Sequence, residues 1–128
     1  MGGPAFNSVA WFEFGTGKAD EVKKFYGDLF GWKFEANANL PGVSYHTVTT
    51  PGSQMPGGGV WESDGEFDDY AIFYVLVQDV DAAVQRAEEL GAAVVMPAVS
   101  DAGGFRFARM HDATGRHFGV FSAPAPPQ

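Results

Sequence analysis

The chain has no cysteine among its 128 residues. That excludes disulfides, thiolate metal ligands and a cysteine nucleophile. Cations are scarce as well: 8 Lys and Arg stand against 16 Asp and Glu, a formal net charge of -8. No basic stripe can be drawn from so few, which excludes a nucleic-acid-binding surface and argues against attraction to anionic membranes. Long apolar runs are missing too. The longest, residues 70 to 77, is far too short to cross a bilayer. The opening Met-Gly-Gly-Pro shows no cationic region followed by an apolar stretch, so no secretory leader is expected and the expected location is cytoplasmic.

Aromatic residues are abundant. They make up 15% of the chain, with 12 Phe, 4 Tyr and 3 Trp, more than a disordered chain carries. The length suits one domain with a real core, and the aromatic load is enough to line a pocket as well. Residues 7 to 14, rich in aromatic and β-branched side chains, read as a strand. Val22, Phe25, Tyr26 and Leu29 then give one apolar helical face, closed at Gly31. Residues 32–35, 44–50 and 58–62 read as three further strands, separated by Pro41-Gly42 and Pro51-Gly52 turns. The order then recurs. A strand at 70–77 is followed by Asp79 as N-cap and by a stripe of Val80, Ala83, Val84, Ala87 and Leu90. Gly91 ends that helix, and strands follow at 92–99, 105–111 and 117–122, the last two joined by the turn at 112–115. The two copies match at an offset of 60, with Tyr45 on Phe105, His46 on Arg106 and Gly59 on Gly119. The first strands match at 61, with Trp11 on Ile72. A repeat of this length means a duplicated module. The expected organisation is a single domain: module one over about 7–62, module two over about 70–122, and a disordered tail at 123–128.

The runs Trp11-Phe12-Glu13-Phe14, Phe25-Tyr26-Gly27-Asp28-Leu29-Phe30-Gly31-Trp32, Glu88-Glu89-Leu90-Gly91-Ala92 and Asp112-Ala113-Thr114-Gly115 resemble the glyoxalase/bleomycin resistance protein/dioxygenase (vicinal oxygen chelate) superfamily. The resemblance implies an α+β fold of two tandem βαβββ modules, whose curved sheets surround a central cavity and carry helices on their convex faces. It also implies a homodimer and a small-molecule ligand. Metal-using members place ligands on the first strand of each module and on the last strand, positions that fall here on Trp11, Ile72 and Gly119. None of these side chains can hold a cation, so the chain is closest to a metal-less subgroup, with no metal and no cofactor expected.

Strand alternation then assigns faces. With Trp11 facing the cavity, Glu13, Trp61, Ile72, Tyr74, His117 and Phe121 are expected to share it. Arg106, Ala108 and Met110 join them if the 112–115 turn closes a hairpin, and His46 and Val48 follow by the repeat. The expected ligand-binding set is Trp11, Glu13, His46, Trp61, Ile72, Tyr74, Arg106, His117 and Phe121, which suits a flat, apolar or aromatic molecule. Glu13 on an inward position reads either as half of a structural ion pair, for instance with Arg106, or as a catalytic general base. A shifted metal site of Glu13, His46 and His117 is a further alternative. The leading reading is a binding or resistance-type protein. The alternatives are a lyase, isomerase or dioxygenase-type enzyme of the same superfamily, or a partner-binding module. Gly57-Gly58-Gly59 lacks the following Lys and Ser/Thr of a phosphate loop; close backbone approach within a strand explains it better.

Overall fold

In the computed structural model, residues 3–124 are described; the rest of the expected tail, 125–128, lies outside them. The elements are β1 (Ser8–Thr16), α1 (Ala19–Phe30), β2 (Lys33–Asn37), β3 (Ser44–Thr49), β4 (Gly58–Glu62), β5 (Tyr70–Leu76), α2 (Val80–Glu89), β6 (Ala93–Ser100), β7 (Arg106–His111) and β8 (His117–Ser122). The order is βαβββ twice, an α+β fold. Two compact units emerge: Trp11–Ala71, and the N-terminal residues to Ala10 together with the chain from Ile72 onward. The Asn7 amide accordingly donates to the Leu76 carbonyl at 2.6 Å, in the second unit.

In the first unit the strands run β2-β3-β4-β1. β1 and β4 are parallel, and the other pairs antiparallel. The core lies between this sheet and α1, where Ala19, Val48 and Val60 are buried among Phe12, Phe14, Val22, Trp32 and Phe34. The inward stripe of α1 is Ala19, Val22 and Tyr26, with the Tyr26 ring stacked 5.1 Å from Trp32. Phe25 and Leu29, expected on that stripe, are each 57% exposed. They stand a step too far round the helix, and the wider side chains of Trp32 and Phe34 fill the gap instead.

The second unit repeats the plan with β5-β8-β7-β6, β5 and β8 parallel. Val77, Val80, Ala108, Met110 and Val120 form its core, against Ala83, Val84 and Ala87 of α2. Asp79 caps α2 by accepting from the Ala82 amide at 3.0 Å, as the sequence suggests. Leu90, the last of the expected stripe, is exposed because the helix has ended by then. The edge strand β6 is irregular between Val94 and Val99. Pro97 lies within that stretch and supplies no ladder donor.

The duplication is visible in the register. Glu13 pairs with Gly59 and Phe14 with Val60 in the first unit; Tyr74 pairs with Gly119 and Val75 with Val120 in the second. These pairs reproduce the offsets of 61 on the first strands and 60 on the last. β7 has slipped further. Thr47 faces Gly59, whereas Arg109 faces Gly119, so β3 maps onto β7 with Tyr45 on Phe107 and Thr47 on Arg109, two residues from the sequence match.

Candidate functional site

On β1 the even positions, Phe12 and Phe14, enter the core under α1. Trp11, Glu13 and Gly15 therefore stand on the opposite face. Gly59 and Trp61 of β4 share that face, because Val60 between them is core. So does Tyr45 of β3, which pairs with Trp61 and meets its ring edge-on at 6.1 Å.

Glu13 is the centre of this face. It is only 4% exposed, and a buried carboxylate costs several kcal/mol unless it is hydrogen-bonded. Two phenols meet that demand. Tyr45 Oη donates to Glu13 Oε1 at 2.8 Å, and Tyr70 Oη donates to Oε2 at 2.6 Å. Trp11 Nε1 in turn donates to Tyr45 Oη at 3.1 Å. The chain Trp11–Tyr45–Glu13–Tyr70 thus links β1, β3 and Tyr70, its donors converging on the carboxylate from both sides. Burial and the neighbouring Glu13 charge push the Tyr45 phenol well above its usual range, so it keeps its proton and remains a donor.

Glycines let the two tyrosines lie flat. A Cβ on Gly59 would collide with the Tyr45 ring, and one on Gly15 with the Tyr70 ring. A Cβ on Gly58, on the other face, would strike Phe12. Close approach within a strand is therefore the reason for Gly58 and Gly59, while a Cβ on Gly57 would meet open space.

In the second unit Val75, Val120, Ala108 and Met110 pack against α2. Ile72, Tyr74, Phe107, Arg109, His117, Gly119 and Phe121 alternate with them onto the other face. The Tyr74 ring lies over Gly119 and meets Phe121 edge-on at 6.3 Å.

Two expected site residues stand on the wrong face. Arg106 reaches α2, where its guanidinium pairs with Asp81 at 2.8 and 3.0 Å. His46 also lies on the helix side, with Nε2 at 3.3 Å from Lys23 Nζ of α1; burial and the Lys23 charge lower its pKa. Val48, Ala108 and Met110, expected with them, are core. The reason is the length of the β7–β8 connection. His111 pairs directly with His117, so residues 112–116 form an odd-numbered loop. Arg109, not Arg106, shares the face of His117. Arg109 and Tyr45 are the residues that sequence reasoning missed, and counting all of 112–116 as the turn would have found Arg109. Glu13 is held by tyrosines, while Arg106 has its own partner, so the Glu13–Arg106 ion pair does not form.

The three positions that metal-using relatives would fill do not fit a cation. Trp11 offers only an N–H, Ile72 is a buried aliphatic, and the space beside Gly119 holds the Tyr74 ring. Glu13 and His46 stand on opposite faces of one sheet, which separates two members of the shifted set. Among the described residues no group of three or more His, Asp or Glu is arranged to hold a metal. No helix there is long and apolar enough to cross a membrane.

Residues 8–120 match the family model of the Glyoxalase/Bleomycin resistance protein/Dioxygenase superfamily. A "Glyoxylase-like domain-containing protein" of Didymella fabae is 32% identical over 95 residues, covering 72% of this chain and 74% of that protein. CFP32 of Mycobacterium bovis, whose name calls it a glyoxylase, is 30% identical over 128 residues; the match takes in 88% of this chain but only 44% of CFP32. Among solved structures, a methylmalonyl-CoA epimerase superposes with a TM-score of 0.65 at 19% identity, covering 97% of this chain and all of that one. The Mn(II)-bound glyoxalase from Novosphingobium aromaticivorans superposes with a TM-score of 0.62 at 18% identity, covering 96% of this chain and 42% of that one. At these identities the likeness shows the fold.

Proposed function

The chain belongs to the Glyoxalase/Bleomycin resistance protein/Dioxygenase superfamily, and from that premise we propose that it binds a small, flat, largely apolar organic molecule without the usual metal triad. The observation that carries this reading is the face of Trp11, Tyr45 and Trp61. The two indoles are half-buried and flank a phenol fixed from both sides by hydrogen bonds. A rigid aromatic floor loses little entropy when a ring stacks on it, and the gain scales with the apolar area removed from water. Glu13 beneath it holds the floor in place. Ile72, Tyr74, His117 and Phe121 form the equivalent face of the second module. His46 and Arg106, turned toward the helices, lie on neither face.

The test is an intrinsic fluorescence titration with neutral aromatic compounds such as benzamide. All three tryptophans, Trp11, Trp32 and Trp61, lie in the first module, so quenching reports that module alone. The Trp11→Ala protein should lose affinity by more than it loses in urea midpoint. Absence of quenching by every compound, with a large loss of stability in the variant, would show that Trp11 is core and remove the reading.

A second reading, an enzyme of lyase, isomerase or dioxygenase type, is favoured by Glu13 itself. A carboxylate bridged by two phenols can pass a proton along short hydrogen bonds, as a general base requires. Deuterium uptake from heavy water at acidic C–H positions of carbonyl compounds, lost in Glu13→Gln, is its expected signature. The homodimer and the cytoplasmic location implied by the resemblance and by composition belong to the same proposal. Sedimentation velocity and fractionation check them.

A further inference from the structure

The duplicated helices solve the same packing problem, so each is a control for the other. Ala19, Val22 and Tyr26 of α1 turn inward as Val80, Ala83 and Ala87 of α2 do, at the offset of 61 seen on the first strands. The exposed positions of α2 carry Asp81, Ala82, Gln85, Arg86, Glu88 and Glu89. A large apolar side chain, Leu90, is exposed only where that helix has ended. The outside of such a helix thus needs nothing apolar in order to fold. α1 departs from its twin: Phe25, whose counterpart is Arg86, and Leu29 are each 57% exposed within the helix itself.

Phe25 and Leu29 stand one turn apart and therefore side by side. Glu21, Lys24 and Asp28 run along their flank, and an open groove of about 480 Å³ lies among the five. The flank alternates acid, base, acid. Lys24 Nζ meets Asp28 Oδ2 at 2.6 Å, with the two side chains 79% and 69% exposed. A pair so exposed is worth little, and exchanging it for an equal pair costs little. Alternation of this kind is self-complementary about a two-fold axis. When two copies of α1 lie antiparallel about an axis level with position 26, position 24 of each meets position 28 of the other. Lys24 then faces the partner's Asp28, twice over, and Phe25 lies between the partner's Phe25 and the partner's Leu29.

We propose that α1 packs antiparallel on α1 of a second copy of this chain through Phe25 and Leu29, with Lys24 and Asp28 paired across the axis. This rests on the homodimer of the preceding reading and supplies its surface. Half-exposed side chains of this size bring together roughly 400 Å² of apolar surface from the two copies. The stems of Glu21, Lys24 and Asp28 widen the contact but leave it below about 1,200 Å², the floor of standard interfaces. The dimer is accordingly weak, with a dissociation constant on the order of 100 µM.

Sedimentation velocity between about 10 µM and about 1 mM spans that constant. In about 0.15 M salt the net charge of -8 on each copy is screened within about 8 Å. The natural chain should pass from monomer to dimer over this range. The double variant Phe25→Gln, Leu29→Gln should associate at least about tenfold more weakly, and its urea midpoint reports whether it folds. Lys24→Asp and Asp28→Lys each set like charges across the axis and should each weaken association about fivefold. Mixed in equal amounts, these two variants pair opposite charges again and should recover it. A natural chain that stays monomeric throughout would overturn the proposal and the homodimer alike. A dimer that survives the Phe25, Leu29 double variant would overturn the surface and leave the homodimer standing. A mixture that associates no better than either charge variant alone would overturn the antiparallel packing. If the double variant does not fold, the mixture decides.

Discussion

The two modules share a chain path and differ in what they place over one equivalent point. In each, the fourth strand presents a glycine, Gly59 or Gly119, to its parallel neighbour. In module two that neighbour is Tyr74, and its ring covers Gly119. In module one the neighbour is Glu13, so the covering ring must come from the other side. Tyr45 of β3 supplies it and binds Glu13 as it does so. The flanking residue on the third strand of each module differs as well, Thr47 in one and Arg109 in the other. Duplication has thus yielded one face organised round a buried acid and one round a buried base. The backbone fixes where an aromatic lid is needed; the side chains decide which strand provides it.

The sharpest way to break this comparison is at the glycines. Gly59→Val should cost about 3 kcal/mol or more, since the new side chain must evict Tyr45 and strand Glu13 as well. Gly119→Val must push aside the Tyr74 ring that lies over it and should cost about 2 kcal/mol through overpacking. Urea midpoints of the two variants compare the modules directly, and a larger loss at Gly119 would contradict the picture.

Next in size is Tyr70→Phe, which leaves Glu13 Oε2 without that donor. A loss of about 1–3 kcal/mol is expected, and the double variant with Glu13→Gln should recover part of it. Strict additivity of the two changes would mean that they are not coupled.

A smaller effect compares the helix ends. Gly31 has φ 75° and caps α1 by donating its N–H to the Gly27 carbonyl, and Gly91 has φ 103° one residue past the cap of α2. Both backbones are left-handed, as two equivalent helix-ending glycines should be. Gly31→Ala has open space for the methyl and should cost only about 1 kcal/mol of backbone strain. Gly91→Ala should cost more, because its Cβ would press on Ala113.

The smallest effect is a pH slope that belongs to module two. His117 has a pKa near 4 in the folded state, below the ordinary 6.5. The unfolded chain therefore takes up this proton first as pH falls. Stability is fully present above about pH 6.5 and declines toward about pH 4. His117→Gln should flatten the urea midpoint over that window, and solvent screening of this half-buried ring keeps the change modest. An unchanged slope would show that the ring is not held neutral.

Much of the architecture was legible beforehand. The repeat, both helices, the Asp79 cap and the close-packed glycines follow from spacing and residue type. Trp11, Glu13, Trp61, Tyr74 and Phe121 were placed on their correct faces because each lies on a strand whose parity a single core neighbour sets. His46 and Arg106 were not, because their parity depended on how many residues the β7–β8 turn consumes, and Asp112 to Gly115 looks complete without Arg116. The clasp on Glu13 was illegible for another reason. It joins residues 11, 13, 45 and 70, and no local pattern links a carboxylate to phenols that reach it only once the sheet has formed.

The odd-numbered turn at 112–116 has a consequence for how such a chain can change over generations. Strand geometry works in steps of two, so a length change beside β7 behaves like a reading frame. Adding or losing one residue would turn Arg109 under α2 and push Ala108 and Met110 into its place. A change of two preserves every side. The displacement of β7 relative to β3 is two residues, the smallest length change that leaves inside and outside as they were.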